Sequence, residues 1–193
     1  ELLFCGPVDE WLAPTMSKLA CCIFSLRPKR EKMIRQATTA DAAAIAAIYN
    51  HYVLNTSVTF EEEAVATSQM AERIGQVKAD GLPWLVLEQN GELLAYAYAT
   101  KWRVRSAYRF SVESTVYVKD GVTAKGLGSQ LYQQLLAELK VLGLHLVIGG
   151  ITLPNKQSVA LHEKFGFEKC GHFQQVGFKF EQWRDVGYWQ KLL

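Results

Sequence analysis

The feature that most constrains the fold of this chain is a strand that passes through a glycine loop into an amphipathic helix. The stretch runs from Tyr117 to Leu131 and reads YVKDGVTAKGLGSQL. A helix that begins on glycines presents unpaired backbone N–H groups and the positive end of its dipole, which together attract an anion. Gly126 and Gly128 carry no Cβ, so their backbone can approach a phosphate oxygen closely, and Lys125 adds a positive charge. The stretch therefore predicts a phosphate-binding turn between a strand and a helix.

The spacing of these glycines excludes two common nucleotide-binding loops. The dinucleotide motif G-x-G-x-x-G would need a third glycine where Leu131 stands, and the triphosphate loop G-x-x-x-x-G-K-[ST] is absent. Two glycines ahead of a helix also occur in plain turns, so the interpretation depends on the unit that follows.

A second strand–helix unit supplies a family likeness. Leu144–Thr152 reads as a buried strand that Pro154 ends. Asn155 is a natural N-cap for a short helix that Gly166 terminates. This order of a Gly-x-Gly loop, a helix, a strand and an Asn-capped helix resembles the GNAT superfamily of N-acetyltransferases. In that superfamily the loop holds the pyrophosphate of acetyl-CoA, and a Tyr beside the coenzyme sulfur usually stands where this chain has His162.

Further motifs are similar to the phosphinothricin acetyltransferase branch and cover the chain from about Met33 to its end. They are Asn50-His51-Tyr52, Trp102–Tyr108, Val112–Val118, Leu161-His162-Glu163 and Trp183–Gln190. The resemblance implies a GNAT fold of class α+β, with a mixed, mostly antiparallel central sheet flanked by helices in three layers (α/β/α). It also implies an acetyl-CoA-dependent N-acetyltransferase that forms a homodimer.

Local patterns favour the same alternation of strands and helices. The dipeptide Asn90-Gly91 predicts a hairpin turn between strands at 84–88 and 93–101. Leucines at positions 127, 131, 135 and 139 predict a helix that lays one apolar stripe on the sheet. The other expected elements are a strand at 34–37, a helix capped within Thr38–Asp41 and running to about Tyr52, a helix capped by Thr67-Ser68 and running toward Lys78, a strand at 110–118, and a closing strand pair around 181–184.

Length and composition predict one globular domain that follows a different N-terminal extension. With 193 residues, of which 49% are hydrophobic, the chain can bury a sizeable core. We expect residues 1–32 to be an expression remnant, an extended start or a poorly ordered segment, with the acetyltransferase domain at 33–193. The apolar run Leu19–Leu26 is far shorter than the roughly 20 residues of a membrane span. A basic linker or a segment lying on a membrane surface is the alternative for the extension.

Charge and cysteine usage exclude several classes of partner. A formal charge of +2 indicates no basic face for nucleic acid, and no metal-ligand spacing is present. Cys5, Cys21 and Cys22 lie in the extension, and Cys170 alone lies in the domain, where we expect an inert core residue. A reducing cytoplasm is therefore the predicted location, with a small-molecule amino-acid substrate and with neither nucleic acid nor a membrane as partner.

Glu113 is the candidate general base. Acetyl transfer from a thioester to an amine requires that the amine lose a proton and that the developing negative charge be stabilised. Glu113 lies in Phe110–Val118, a run of strong β character where a buried carboxylate would be costly. Alternation puts Ser111, Thr115 and Tyr117 on its face. A solvated charge on an open face is the structural alternative, whereas the branch resemblance implies a catalytic Glu here.

His162 is the second catalytic candidate. A lone His on a helix whose Ala160, Leu161 and Phe165 point to the core is usually structural. Its register with the superfamily's usual acid favours catalysis instead. With an ordinary pKa of about 6.5 it could protonate the leaving thiolate or deprotonate the amine, and the sequence leaves both roles open.

The resemblance also implies the coenzyme contacts. The expected residues are Tyr117, Val118, Thr123, Ala124, Lys125, Gly126, Leu127, Gly128, Ser129, Asn155 and Ser158. Thr123 is a departure, because the superfamily usually has Arg or Gln three residues before the first loop glycine. We therefore expect weaker binding of acetyl-CoA from that position. No metal is implied.

Two arginines after a strand suggest an acidic acceptor. Arg103 and Arg105 suit bidentate binding of a carboxylate, although a solvated loop with scattered charge is the alternative. By resemblance, substrate-binding residues are Phe60, Arg103, Arg105, Tyr108, Thr152 and Val186. Thr152 stands where the branch tends to have Gly, so we expect a narrower pocket. Phosphinothricin or methionine sulfoximine, acetylated on the α-amine, is the expected type of acceptor.

Two other functions compete with this prediction. The acceptor could be another small amine such as a polyamine, or a peptide N-terminus, although paired arginines would repel a polycation. A non-catalytic sensor of acetyl-CoA is the alternative from another class, and the presence of both Glu113 and His162 argues against it.

Overall fold

The computed structural model describes residues 32–122 and 126–193, which form a mixed sheet between two layers of helices. The strands are β1 Lys32–Gln36, β2 Trp84–Gln89, β3 Glu92–Lys101, β4 Ser111–Val118, β5 Leu146–Leu153, β6 Glu168–Lys179 and β7 Gln182–Leu192. Their order in the sheet is β1-β2-β3-β4-β5-β7-β6. Neighbouring strands are antiparallel except β4 and β5, which are parallel. The predicted class, α+β with a mostly antiparallel sheet, is confirmed.

The helices lie on opposite faces of the sheet. They are α1 Ala42–Asn55, α2 Thr67–Ala79, α3 Leu127–Val141 and α4 Lys156–Lys164, with short 3-10 helices at Thr39–Asp41 and Ser106–Tyr108. Alternation along β4 separates the two layers. Tyr117 packs edge-on against Tyr49 of α1, whereas Ser114 hydrogen-bonds the hydroxyl of Tyr132 in α3 at 2.7 Å. In the part of the chain that the structure describes, no helix is long and apolar enough to cross a membrane.

Two sequence patterns are confirmed in detail. The four leucines of the α3 stripe are all buried, at 0–1% exposure, and anchor this helix on the sheet. Each buried leucine side chain contributes about 2 kcal/mol of transfer free energy. The hairpin of β2 and β3 turns at Asn90 and Gly91, whose φ angles of 55° and 79° suit this dipeptide.

Of the two predicted helix caps, the one within Thr38–Asp41 is confirmed. Asp41 accepts hydrogen bonds from the Thr38 N–H and from Arg35, each at 2.8 Å, and a short 3-10 turn precedes α1. Hydrogen bonding from Arg35 lowers the pKa of Asp41 to about 2. The predicted Thr67-Ser68 cap of α2 is wrong, since these residues lie in its first turn. The N-cap is Ala66, whose N–H donates to the Gln69 side chain at 2.9 Å.

Two burial predictions are also wrong. Cys170 lies on a strand as expected, but its side chain is exposed. β6 is the last strand of the sheet and most of its residues are accessible, so strand membership does not imply burial there. In α4, Ala160 is exposed and His162 is the buried residue.

Candidate active site

The sheet opens where β4 and β5 part. These strands pair only between Ser111–Glu113 and Leu146–Ile148, although β4 continues to Val118 and β5 to Leu153. Beyond that point the facing backbone edges have no strand partner among the described residues, while the outer edges stay paired with β3 and β7. A cavity of about 280 Å³ occupies the split.

Residues from both sides of the split line this cavity. The lining includes five predicted coenzyme residues, one predicted acceptor residue and one catalytic candidate: Tyr117, Val118, Gly128, Asn155, Ser158, Thr152 and His162. It also includes Tyr52, Val58, Ser114, Thr115, Val116, Gly150, Ile151, Gln157 and Leu161. Distant parts of the chain therefore meet at one opening.

The N-terminus of α3 lies at this opening. Gly126 is the N-cap in a left-handed conformation with φ 89°, which favours glycine. The first helical hydrogen bond runs from Gln130 N–H to Gly126 C=O at 3.0 Å, so the N–H groups of residues 127–129 precede the ladder and are available to an anion. A Cβ on Gly128 would lie 3.4 Å from Val118 Cγ2, an ordinary contact distance, so this turn lies next to the end of β4.

The other predicted residues of the loop differ in their surroundings. Leu127 is buried in the core, where it anchors the helix. Ser129 Oγ accepts a hydrogen bond from Lys164 Nζ at 3.2 Å, which joins the end of α4 to the first turn of α3. Thr123, Ala124 and Lys125 lie outside the described residues.

Asn155 caps α4 as the sequence predicts. Its Oδ1 accepts a hydrogen bond from Ser158 N–H at 3.0 Å. Ser158 in turn lies one helical turn before His162, and its backbone carbonyl is 2.8 Å from His162 Nδ1. The cap thus fixes the turn that orients the imidazole.

His162 is a buried imidazole with one free nitrogen. A carbonyl oxygen only accepts, so Nδ1 carries the proton and donates it to Ser158. Nε2 has no hydrogen-bond partner among the described residues, although it is buried. Burial lowers the pKa of His162, and the Ser158 carbonyl only partly opposes this. The imidazole is therefore neutral near pH 7, with its lone pair on Nε2.

Aromatic rings and a glycine hold this imidazole in place. The rings of Tyr132 and Phe167 pack edgewise against it, with centroids at 5.2 and 5.1 Å. A Cβ on Gly149 of β5 would lie 2.5 Å from Nε2, so the ring lies directly over this glycine. Two adjacent glycines inside a strand are a signal of close approach that the sequence offers.

Glu113 lies on β4 at the last pair before the split. Its side chain is half-buried, and burial raises the pKa of its carboxyl, while the charge of Arg103 lowers it. A Cβ on Gly150 would lie 2.9 Å from Glu113 Oε1 and 3.3 Å from the Tyr188 ring. A carboxylate with a raised pKa beside a cavity is suited to accept a proton near neutral pH.

The two catalytic candidates approach the split from opposite faces of the sheet. Gly149 and Gly150 are consecutive in β5, and their Cβ positions point to opposite faces. His162 covers the first on the α3–α4 side, and Glu113 lies against the second on the α1–α2 side. His162 lines the cavity itself, whereas Glu113 lies beside it, against the lining residue Gly150.

The predicted arginines lie on a protruding segment between β3 and β4. The Arg103 guanidinium stacks over the Trp102 ring at 4.5 Å, and its charge acts on both Glu113 and Tyr188. Arg105 and Tyr108 are exposed and line a separate surface hollow of about 310 Å³ with Arg103. Arg103 alone of these three residues is thus linked to Glu113 in the described part of the chain.

Two of the remaining acceptor candidates are paired across neighbouring strands, and the third lies apart from them. Thr152 is buried in the cavity lining and pairs with Val186 of β7, which is also buried. Phe60 lies in the connection between α1 and α2, with its ring over Gly177 of β6. Phe60 therefore contacts β6 and is not among the described residues that line the cavity.

The residues at the site that were not predicted as site residues include Val58, Tyr188 and Tyr52. Val58 lines the cavity, and Tyr188 lies against the Glu113 carboxylate position. Tyr52 lines the cavity and donates to the Val118 carbonyl at 2.6 Å, which fixes the free end of β4. Tyr52 and Tyr188 had a signal, since each stands within a motif of the predicted family. The position of Val58 depends instead on how the connection between α1 and α2 folds.

A glycine-initiated helix and an Asn-capped helix at one opening form the arrangement that the resemblance to acetyltransferases predicts. The family model described as "Acetyltransferase (GNAT) domain" matches residues 34–187. The chain belongs to the GNAT acetyltransferase family.

Relatives with curated names narrow the comparison. The phosphinothricin N-acetyltransferase of Streptomyces viridochromogenes is 40% identical, over 86% of this chain and 91% of its own. The L-methionine sulfoximine/L-methionine sulfone acetyltransferase of Salmonella typhimurium is 38% identical, over 83% and 94%. The crystal structure of a phosphinothricin acetyltransferase from Sinorhizobium meliloti in complex with acetyl-CoA matches with a TM-score of 0.81 and 35% identity, over 84% of this chain and 88% of that one.

Proposed function

We propose that this enzyme transfers the acetyl group of acetyl-CoA to the α-amine of a small glutamate-like amino acid, of the phosphinothricin or methionine sulfoximine type. The observation that carries the proposal is the split between β4 and β5, which has Glu113 on one face and the free Nε2 of His162 on the other. The named relatives acetylate such compounds and are 38–40% identical to this chain.

The residues around the split fit acetyl-CoA. The unpaired edge of β4 from Ser114 to Val118 offers backbone N–H and C=O groups to an amide-bearing arm. The free N–H groups at the start of α3 suit a pyrophosphate, and the absence of a Cβ on Gly128 keeps room beside Val118. Thr123, Ala124 and Lys125 remain predicted contacts of the same loop.

Glu113 acts as the base for the acceptor amine. The incoming α-ammonium loses one proton to the Glu113 carboxylate, and the neutral nitrogen then attacks the thioester carbonyl carbon. Formation of the C–N bond is followed by cleavage of the C–S bond. His162 Nε2, which carries no proton, accepts the second proton from the nitrogen and passes it to the leaving sulfur. Burial lowers the pKa of His162, so the protonated ring releases that proton readily.

The acceptor binds on the α1–α2 side of the split. Arg103 lies close enough to Glu113 to shift the pKa of its carboxyl, so it can hold an acceptor carboxylate while the amine faces the base. Thr152 and Val186 form the floor of the pocket, and the hydroxyl and methyl of Thr152 narrow it. Arg105, Tyr108 and Phe60 complete the proposed acceptor residues.

Thiol release from acetyl-CoA tests the proposal directly. We expect turnover with phosphinothricin, methionine sulfoximine or methionine sulfone, and little with spermidine or a peptide N-terminus. Turnover that favours a peptide or a polyamine would move the function to another acceptor. Binding of acetyl-CoA without product from any amine would favour a sensor instead.

The proposal extends to a homodimer in the cytoplasm. Large apolar side chains on the hairpin of β6 and β7 are 51–61% exposed: Phe173, Val176, Phe178, Phe180 and Trp183. Because β6 is also an edge strand, this surface suits a second copy of the chain. Analytical ultracentrifugation of the wild type should give twice the mass of one chain. The Trp183→Asp variant should give the mass of a single chain. The cysteine pattern supports the cytoplasm, which fractionation of expressing cells would test.

A further inference from the structure

Lys179 is a buried lysine that the proposed reaction does not use. It is the last residue of β6, and its side chain is only 2% exposed. Its Nζ donates hydrogen bonds to the carbonyl oxygens of Val53 at 2.6 Å, Thr59 at 2.9 Å and Glu61 at 2.7 Å. An ammonium group has three N–H donors, so every donor of Lys179 is used.

The three carbonyls belong to one end of the molecule. Val53 lies in the last turn of α1, where helix carbonyls lack intrahelical partners and a positive charge is favourable. Thr59 and Glu61 flank Phe60 in the connection between α1 and α2. Lys179 therefore joins β6 to a segment that has no regular secondary structure of its own.

Other contacts fix the same connection. Phe60 packs on Gly177, which lies on the same face of β6 as Lys179, and a Cβ there would overlap the ring. Tyr49 hydrogen-bonds the Thr59 hydroxyl at 2.8 Å and donates to the Glu61 carboxylate at 3.0 Å. The connection is therefore docked on α1 and on β6 at once.

The docked connection reaches the active site. Val58 is next to Thr59 in the chain, and its side chain lines the split together with Thr115 and Tyr117. Thr115 and Tyr117 are on the same face of β4 as Glu113. The position of Val58 on the acceptor side is thus set by the backbone that Lys179 holds.

We propose that Lys179 is a positioning residue that fixes the Val58–Phe60 wall of the acceptor pocket through three backbone carbonyls. This inference rests on the proposed function, because it names the part of that site that Lys179 controls. Lys179 does not touch the acceptor. Its removal changes how well the acceptor is held, and leaves the α3–α4 side of the split intact.

Lys179→Met is the test, because methionine fills much of the space but leaves the three carbonyls without donors. We expect KM for methionine sulfoximine to rise about tenfold, while KM for acetyl-CoA stays within about twofold. Amide hydrogen exchange in peptides that cover residues 54–66 should become faster. Leu87→Ala is the matched control, since it removes a fully buried side chain of β2 away from the connection. It should lower Tm and leave both KM values unchanged.

Several outcomes would overturn the inference. If the acceptor KM and the amide hydrogen exchange of Lys179→Met match those of the wild type, the three hydrogen bonds of Lys179 do not position the pocket wall. Equal rises in both KM values would show a general loss of structure. If Lys179→Met gives no soluble protein, Lys179→Gln keeps part of the donor set and should show a smaller rise in acceptor KM alone. If the wild type acetylates none of the tested amines, the proposed function fails. Amide hydrogen exchange in residues 54–66 still tests whether Lys179 holds the connection between α1 and α2.

Discussion

The two sides of the strand split are built in different ways. On the α3–α4 side, the free imidazole nitrogen of His162 is enclosed by Tyr132, Phe167 and Gly149. On the α1–α2 side, Glu113 lies below an exposed segment that carries Arg103. In the proposed function, the enclosed α3–α4 side binds acetyl-CoA and the open α1–α2 side binds the acceptor. We therefore expect acceptor specificity to depend on the α1–α2 side.

The acceptor side is nevertheless fixed at its base. Lys179 and Tyr49 hold the connection that carries Val58, while Thr152 and Val186 are paired across β5 and β7. The segment that carries the arginines is exposed on this side. In the proposed function, Arg103 binds the carboxylate of the acceptor. Thr152 and Val186 then limit the size of the acceptor side chain that fits.

Glu113→Gln should have the largest effect on turnover, because it removes the proposed base and leaves the coenzyme side unchanged. We expect kcat to fall by about 10² to 10⁴. Burial raises the pKa of Glu113, so in the wild type activity is lost as pH falls through a value above the ordinary Glu pKa of about 4.3. This acid limb should disappear in the variant. A pH–rate profile and acetyl-CoA titration would measure both.

The control for this change is Glu92→Gln, an exposed carboxylate on β3 that pairs with Lys119. It should retain wild-type turnover. A Glu113→Gln enzyme that keeps full activity across pH would remove Glu113 from the mechanism.

The site positions that the sequence predicts correctly are those that depend on local conformation. Gly126, Gly128 and Asn155 act through local backbone conformation, so each could be placed correctly without knowledge of the rest of the fold. Glu113 could be placed on the correct face by alternation alone. Local signals therefore predict helix caps and strand faces well.

The acceptor side depends on contacts between distant parts of the chain. Lys179 contacts Val53, 126 positions away, and no local pattern links the two. Cys170 was expected in the core because it lies on a strand, but the strand is at the sheet edge. Such errors arise where burial is decided by which element covers a residue.

Two neighbouring glycines allow each side to be disturbed separately. Gly149→Ala places a Cβ 2.5 Å from His162 Nε2, and the enclosed ring has little room to move. We expect a loss of about 1–3 kcal/mol in stability and a fall in kcat of about ten- to a hundredfold. Gly150→Ala instead meets the Glu113 carboxylate at 2.9 Å, at the end of a flexible side chain. It should lower kcat by about tenfold with little change in Tm.

Thermal melts and steady-state kinetics on the two variants would test this contrast. Gly149→Ala should weaken acetyl-CoA binding, whereas Gly150→Ala should leave it unchanged. If both variants lose stability and coenzyme affinity equally, the two sides are not independent and the comparison fails.

Arg103→Ala tests the open side at its one linked charge. We expect KM for the acceptor to rise about tenfold through loss of a charged hydrogen bond. The Arg103 charge lowers the pKa of Glu113, so its removal should raise that pKa and move the acid limb to higher pH. Arg109→Ala is the matched control, because Arg109 lies on the same segment and stacks over Phe110 at 4.5 Å. An unmoved acid limb in Arg103→Ala would separate this arginine from the base.

Lys164→Ala should give the smallest effect, and on the coenzyme side alone. Its Nζ lies 3.2 Å from Ser129 Oγ in the first turn of α3, whose N–H groups precede the helical hydrogen bonds and suit a pyrophosphate. Because an exposed charge is screened by salt, we expect KM for acetyl-CoA to rise only about two- to threefold, and less at high ionic strength. Lys140→Ala, at the opposite end of α3, should leave KM unchanged. A rise in the KM for the acceptor instead would contradict this prediction, because the described hydrogen bond of Lys164 lies on the α3–α4 side of the split.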